Sequence, residues 1–290
     1  MTWTLSGFVD EAGGSTTEQV AACIAGGLSH IDPRNVDGYN ITELPLEQAA
    51  AVAKQYEAAG IRVNMYGSPI GKIDIADDLS IDLKKLEHLG RLKDIFGATD
   101  VRIFSFYNKA GVEKAKWQQE SLDRLKRLRD QAGELGLVLY HENESEIFGD
   151  HPNDVALIAE LRDGETFKLI YDFANYIRTD ASPQDCWAML KDKTDCFHLK
   201  DQKRDGQHVP MGAGDTDARA ILRDAVASGW QGPCVLEPHL THSDAVVATG
   251  VHGTGDVSLA SLSEAESFQV ALKAAQALIV EVGAEHTRLP

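Results

Sequence analysis

The sequence predicts an α/β fold, a single (β/α)8 TIM barrel, in which eight parallel strands alternate with helices. Short apolar runs recur eight times along the 290 residues, and segments with helical periodicity separate them. Continuous apolar strands are typical of parallel sheets that are covered on both faces, and eight strand–helix units fit a closed barrel better than an open sheet. Because no linker or low-complexity tract divides the chain, we expect one domain over residues 1–290.

The predicted strands follow one another at the spacing of a barrel. They cover residues 4–10, 28–32, 61–67, 100–106, 136–142, 167–173, 195–201 and 233–238. Several intervening helical segments end in glycine just before the next strand, as a helix C-cap does. An open doubly wound sheet is the alternative fold. It is disfavoured because "DEAGGS" follows the first strand in place of the G-x-G-x-x-G turn typical of that fold.

The composition narrows the classes of partner. A formal net charge of −17 creates a field that repels phosphate backbones, so we expect no nucleic-acid partner. No apolar run approaches the roughly 20 residues that cross a bilayer, and the first residues lack the features of a signal peptide. We therefore expect a cytoplasmic protein with no membrane partner. The four cysteines are widely spaced and lack a C-x-x-C pair, which predicts buried core thiols.

Ionisable residues end the last four predicted strands. In a barrel of this kind the active site gathers at the carboxyl ends of the strands, where Glu142, Asp172, His198 and Glu237 are found. Carboxylates at the ends of buried strands are destabilising unless they are paired, hydrogen-bonded or bound to metal. Three carboxylates and one imidazole suit one divalent ion. We expect Mn²⁺ or Mg²⁺ first, with Co²⁺ and Zn²⁺ as alternatives.

The motifs around these four residues resemble those of the xylose isomerase-like TIM-barrel superfamily, which holds sugar isomerases and epimerases, inosose dehydratase and endonuclease IV. The similar stretches are "YHENE", "YDFANY", "HLKD…GAGD" and "LEPH", and the resemblance spans nearly the whole chain. It implies the same four metal ligands. Asn175 stands where the DNA-repair members carry a histidine, and Gly206, Gln207 and His208 stand where their D-x-H lies. These departures imply one metal ion rather than three.

Other polar residues near the predicted mouth are candidates for substrate contact. The candidates are Arg34, Lys200, His208, Asn175, Tyr66 and Glu144. Arg34 either clamps a substrate oxygen or braces neighbouring carboxylates, and Lys200 either holds a substrate oxygen or pairs with Asp201. The glycines of "GAGD" either cradle a phosphate or form a tight turn. His141 should point away from Glu142, on the opposite side of the strand, and is left out of the site.

The resemblance and the strand-end residues together predict a divalent-metal-dependent isomerase or epimerase that acts on a small ketose or a keto-sugar derivative. Glu142 and Glu237 are the expected catalytic pair, which removes and returns the proton α to the carbonyl through a metal-stabilised enediolate. The alternative is a lyase, a dehydratase or decarboxylase of a keto-sugar acid or keto-inositol. A single-metal endonuclease and a non-catalytic binding barrel are less favoured.

A long loop over residues 238–263 is rich in glycine, histidine, serine and threonine. Structureless loops of this length are uncommon inside compact domains and often have a function. We expect the loop to be a lid or a subunit contact, which leaves a homo-oligomer open as a partner.

Overall fold

The computed structural model describes residues 1–179, 181–241 and 255–290. The strands are β1 (Thr2–Gly7), β2 (His30–Ile31), β3 (Asn35–Val36), β4 (Tyr39–Asn40), β5 (Arg62–Val63), β6 (Met65–Tyr66), β7 (Asp100–Ile103), β8 (Val138–Glu142), β9 (Phe167–Asp172), β10 (Cys196–Leu199), β11 (Asp201–Gln202), β12 (His208–Val209), β13 (Pro233–Leu236) and β14 (Glu285–His286). The predicted lid or subunit contact over residues 238–263 falls largely on residues 242–254, which lie outside the described residues.

The α-helices alternate with the barrel strands on the outside of the molecule. They are α1 (Thr16–Gly26), α2 (Leu46–Ala58), α3 (Ser80–Phe96), α4 (Lys114–Leu135), α5 (Pro152–Ile158), α6 (Phe173–Ile177), α7 (Pro183–Leu190), α8 (Ala218–Ala227) and α9 (Glu264–Glu281). Among the described residues, none of these helices combines the length and the apolar character that crossing a bilayer requires.

Eight parallel strands curl into the predicted barrel. Parallel pairs join β6, β7, β8, β9, β10, β13 and β1 in that order. The ring closes through β2, which pairs with β5, while Asp32 N donates to Gly7 O of β1 at 3.0 Å. The predicted (β/α)8 fold is confirmed, with one difference. The third predicted strand is split into β5 and β6 at Asn64, whose side chain donates to Asp32 Oδ1 at 2.9 Å.

Glycines end three of the helices, as the sequence predicts. Gly27, Gly97 and Gly136 follow α1, α3 and α4 with φ of 68°, 69° and 66°. This left-handed conformation is open to glycine without the steric penalty of a Cβ atom, and it turns the chain back toward the barrel. At the other end of α1, Ser15 and Glu18 form a capping box that satisfies the first backbone N–H groups.

Side chains alternate between the inside of the barrel and the layer beneath the helices. The inner apolar cluster is formed by Phe8, Met65, Tyr140, Ile170, Cys196 and Val235. Two residues farther along their strands lie Glu142, Asp172, His198 and Glu237, so the strand period places all four on the same inner side. The apolar cluster therefore forms the floor of a polar mouth. All four cysteines are buried free thiols, as predicted.

His141 faces the helical layer, opposite to Glu142. A Cβ atom at Gly149 would come within 2.6 Å of His141 Cε1, so this glycine permits the close approach of the ring. Neither ring nitrogen has a hydrogen-bond partner among the described residues. Burial lowers the pKa of His141 to about 3, so the ring is neutral in the folded protein. The expectation that His141 points away from Glu142 is confirmed.

We expect His141 to make the fold less stable as the pH falls below about 6.5. The unfolded chain takes up a proton near the ordinary pKa of 6.5, whereas the folded chain stays neutral down to a pKa of about 3. Above the pKa of the unfolded chain, His141 makes its full contribution to the free energy of unfolding. Between the two pKa values it falls by up to about 1.4 kcal/mol per pH unit.

Urea unfolding of the wild type and of His141→Asn, from about pH 7.5 to about pH 4.5, measures this slope. The variant should lose stability less steeply with acidification. Identical slopes in the two proteins would show that His141 titrates normally in the folded state.

Candidate metal centre

Four ionisable side chains converge at the carboxyl ends of neighbouring strands. Glu142 ends β8, Asp172 ends β9, His198 lies in β10 and Glu237 directly follows β13. One candidate ligand atom from each lies within 4.8 Å of the others, and all four residues are buried. The structure thus brings together all four predicted metal ligands.

The imidazole of His198 points its Nδ1 edge at two carboxylates. Nδ1 lies 2.9 Å from Glu142 Oε1 and 3.2 Å from Glu237 Oε2. Burial, the largest single influence, lowers the pKa of His198, but the two carboxylates together outweigh it and raise the pKa to about 9. The edge that faces the cluster is therefore in a strongly negative environment, which suits a proton or a metal cation.

Asp172 combines a capping role with a buried oxygen. Its Oδ1 accepts a hydrogen bond from Asn175 N at 2.8 Å, at the start of α6. Its Oδ2 lies 3.0 Å from Lys200 Nζ but accepts no well-aligned hydrogen bond from the described residues. Burial raises the pKa of Asp172 to about 7, against the opposing charge of Lys200. A buried carboxylate oxygen of this kind is suited to bind a cation.

Lys200 pairs within the cluster and not with its neighbour in sequence. Its Nζ lies 3.0 Å from Asp172 Oδ2 and 3.5 Å from Glu237 Oε2. The structure therefore does not support the predicted Lys200–Asp201 pair.

Asp201 instead holds the "GAGD" turn. Its Oδ2 accepts hydrogen bonds from Gly212 N at 2.8 Å and Gly214 N at 3.0 Å, and its Oδ1 accepts one from the Thr216 hydroxyl at 2.6 Å. A side chain at Gly214 would collide with this carboxylate. Of the two interpretations that the sequence leaves open, the geometry supports the tight turn, because the glycine N–H groups already bind a side chain.

Arg34 braces carboxylates at the mouth. Its Nε and Nη2 donate to the two oxygens of Asp10 at 2.9 and 3.0 Å, and its Nη1 lies 3.3 Å from Glu237 Oε1. Its Nη2 also lies 3.3 Å from Glu11 Oε1. Burial raises the pKa of Glu237, but Lys200 and other cations around it hold that pKa well below its usual range. Glu237 is therefore ionised at neutral pH.

Asn175 and His208, two further predicted substrate contacts, border the cluster. Asn175 Nδ2 donates to Asn143 O at 2.8 Å, which fixes α6 against the end of β8. His208 Nε2 lies 3.2 Å from Gln202 Nε2, and its ring meets that of His239 edge to face at 5.5 Å.

Glu144 pairs with Lys72 at 3.0 Å. Burial raises the pKa of Glu144, but Lys72 and Lys200 outweigh this effect and lower the pKa to about 2. Glu144 therefore carries a negative charge at the border of the site.

Tyr66 lies outside this arrangement, contrary to its predicted substrate contact. Its ring packs against Phe96 of α3, with ring centroids 6.3 Å apart, in the layer between barrel and helices. The neighbouring Met65 faces the barrel interior. A shift of one residue reverses the direction of a strand side chain, and the interrupted third strand leaves that direction undefined in the sequence.

Arg102 of β7 belongs to the site, although no strand-end pattern selects it. The side chain is buried, and its Nη1 lies 3.3 Å from both Glu142 Oε2 and Glu237 Oε1. Arg102 lies inside the apolar run "DVRIFSF" and not at its end. A charged residue within a buried strand needs a partner of opposite charge, and this is the signal in the sequence that could have identified it.

The chain belongs to the xylose isomerase-like TIM barrel family, whose sequence model matches residues 21–253. The resemblance inferred from the strand-end motifs is thereby confirmed. A search of curated proteins finds no match to this sequence.

Solved structures share the fold at low sequence identity. D-psicose 3-epimerase, crystallised in the presence of D-fructose, has a TM-score of 0.72 and 16% identity over 97% of this chain and 99% of that chain. The IOLI protein with a bound zinc atom has a TM-score of 0.72 and 14% identity over 96% and 99%. AsbF of Bacillus anthracis, assigned as a 3-DHS dehydratase, has a TM-score of 0.67 and 17% identity over 86% and 97%. At such identities the likeness establishes the fold alone.

We expect His198→Ala to weaken Mn²⁺ binding by about 100-fold, because it removes one of the four proposed ligands. Calorimetric titration of the purified protein measures the affinity and the number of ions. His88→Ala is the matched control, since His88 lies on α3 and its ring contacts Leu44 O, away from the cluster. Unchanged Mn²⁺ affinity in His198→Ala would contradict the assignment of this centre.

Proposed function

We propose that this chain is a divalent-metal-dependent isomerase or epimerase that acts on a small ketose or a keto-sugar derivative. The observation that carries the proposal is the placement of Glu142 and Glu237 beside the same His198 nitrogen, within a cluster of three carboxylates and one imidazole. The structural likeness to D-psicose 3-epimerase supports the same class of chemistry.

The residues present fit a divalent ion. Carboxylate oxygens and one imidazole nitrogen are donors that Mn²⁺, Mg²⁺, Co²⁺ and Zn²⁺ accept, and Asp172 Oδ2 is a buried oxygen that lacks a well-aligned donor among the described residues. Mn²⁺ or Mg²⁺ remains our first expectation, although the IOLI relative carries zinc. A divalent ion held by these four residues would supply Lewis acidity that stabilises negative charge on the substrate carbonyl oxygen.

Glu142 and Glu237 are suited to remove and return the proton α to the carbonyl. Both lie beside His198 Nδ1 and Arg102 Nη1, and the guanidinium of Arg102 favours the ionised form of each glutamate, which is the form that can accept a proton. Glu237 has two additional cationic neighbours, Arg34 and Lys200. Since cations weaken a carboxylate base, we assign proton removal to Glu142 and proton return to Glu237.

The other predicted substrate contacts divide by position. Lys200 Nζ lies between Asp172 and Glu237, where it can donate to a substrate oxygen. Arg34 borders the mouth through Glu237, and Glu144 borders it through its pair with Lys72. Asn175 and His208 border the cluster, where Asn175 contacts Asn143 O and His208 contacts Gln202.

A lyase is the second candidate function. A dehydratase begins with the same proton removal and then expels water, whereas a decarboxylase breaks the bond to a carboxylate and releases CO₂ in place of the proton. The structural likeness to AsbF, assigned as a dehydratase, supports the lyase as the alternative function.

Incubation with ketoses, keto-inositols and keto-sugar acids in deuterated water, in the presence of Mn²⁺, tests the proposal. We expect deuterium to enter the carbon α to the carbonyl, with no loss of carbon or water. Dehydrated product or CO₂ would instead identify the lyase. Absence of exchange with every substrate in the screen would contradict enzymatic activity of this class.

Glu142→Gln and Glu237→Gln should each lower the exchange rate by about 100-fold to 10,000-fold, because general acid–base catalysis contributes that much. Glu160→Gln is the matched control, since Glu160 forms an exposed pair with Lys193. Proton NMR of the recovered substrate measures the rate. Wild-type exchange in either variant would exclude that glutamate from proton transfer.

A further inference from the structure

A cavity of about 370 Å³ adjoins the proposed metal centre and has a cationic wall. Arg34, Lys72, Lys85 and Arg102 line it, and Glu43 is the one carboxylate among the described lining residues. Arg34 and Arg102 each contact Glu237 at 3.3 Å, so two lining residues of the cavity lie beside the cluster. Each of these four cations pairs with a carboxylate, but those carboxylates are not among the described lining residues, so the cationic groups that face the cavity indicate a site for an anion.

Arg102 has incomplete hydrogen bonding on this wall. Only 5% of the residue is exposed, yet its contacts with Glu142, Glu237 and Gly67 O are all 3.3 to 3.4 Å long. Its Nε has no acceptor among the described residues. A buried guanidinium N–H without an acceptor is destabilising, and an anionic oxygen is the strongest partner for it.

Aromatic rings hold the cations of the wall in place. The Cζ atom of Arg102 lies 4.5 Å from the centre of the Phe8 ring and 4.9 Å from that of Phe104. Phe8 also contacts Arg34 at 4.8 Å, and Phe104 contacts Lys72 Nζ at 4.4 Å. Cations and rings thus alternate along the wall. Side chains that are already fixed lose little conformational freedom when they bind a ligand.

Gly67 permits this packing. A Cβ atom there would lie 2.5 Å from Phe8 Cε1 and 2.9 Å from Arg34 Cβ. Any larger residue would therefore displace the ring or the arginine that shape the cavity.

We propose that this cavity binds an anionic group of the substrate, a carboxylate or a phosphate, so that the substrate is a sugar acid or a sugar phosphate. The inference rests on the proposed function, because it places the anionic end of the substrate whose carbonyl end reaches the four-residue cluster. Arg102 contacts Glu142 and Glu237 and also lines the cavity, so it connects the two ends.

Matched pairs of probes test this site in the presence of Mn²⁺. Calorimetry compares D-gluconate with D-glucitol, and D-ribose 5-phosphate with D-ribose. We expect the anionic member of at least one pair to bind about tenfold more tightly, with a preference that weakens as salt is added. A preference in the first pair identifies a carboxylate, and one in the second pair identifies a phosphate. Equal affinities within both pairs would overturn the proposal.

Two variants test whether the preference for the anionic probe arises in this cavity. Arg102→Gln should lower the affinity for the preferred anion by about tenfold. Lys72→Gln should lower it by several-fold, and in that variant the affinity for the neutral partner should change by less than about twofold. Lys72 pairs with Glu144 and with none of the four predicted ligands, so its variant should keep Mn²⁺ binding. Lys193→Gln, which loses an exposed pair with Glu160, is the control. A preference that survives in both variants would contradict the assigned cavity.

Titration of the same samples with Mn²⁺ separates this inference from the proposed function. Mn²⁺ binding without any anion preference would overturn the anion site and leave the metal-dependent function standing. An anion preference lost in Arg102→Gln, in a protein that binds no Mn²⁺, would support the site and contradict the proposed function.

Discussion

Three carboxylates and one imidazole share a buried space at the mouth of the barrel, and a buried charge is tolerated only where opposite charge lies close to it. Arg34, Arg102, Lys200 and His239 all lie within 3.6 Å of Glu237. Asp10 in turn pairs with Arg34, so the compensation of charge also involves the segment that follows β1. A divalent cation would take over part of this compensation. Lys200 and Arg102 are therefore the residues whose contacts we expect to depend most on the metal.

The apolar floor beneath the mouth strengthens these interactions. Phe8 meets the His198 ring edge to face at 5.5 Å and also contacts the guanidinium groups of Arg34 and Arg102. Where water is excluded, paired charges attract each other more strongly, and an unpaired charged group becomes more destabilising. One aromatic side chain thus supports a proposed metal ligand and two of the cations that border the adjoining cavity. The fold, the proposed chemistry and the proposed anion site depend on the same packing.

Much of this arrangement could be predicted from the sequence because the barrel has a regular geometry. The carboxyl ends of parallel strands meet at one mouth, so Glu142, Asp172, His198 and Glu237 could be grouped without knowledge of any contact. The period of two along a strand also separated His141 from Glu142.

The other features depend on contacts that no local pattern specifies. The inward direction of Met65 and the outward direction of Tyr66 follow from the interruption at Asn64, whose partner is Asp32 of the preceding unit. Asp201 binds a turn that lies more than ten residues later in the chain. Arg102 can be identified as a site residue only from its contacts with Glu142 of β8 and with Glu237, which follows β13. These features required the three-dimensional structure because residues distant in sequence determine them.

Crystallography of the Mn²⁺-treated protein, with anomalous diffraction, tests the central claim most directly. We expect one anomalous peak, bonded to side-chain atoms of Glu142, Asp172, His198 and Glu237, with Lys200 Nζ moved away from Asp172 Oδ2. A peak elsewhere, or an empty cluster in which His198 still contacts both glutamates directly, would contradict the assignment of these residues as a metal centre.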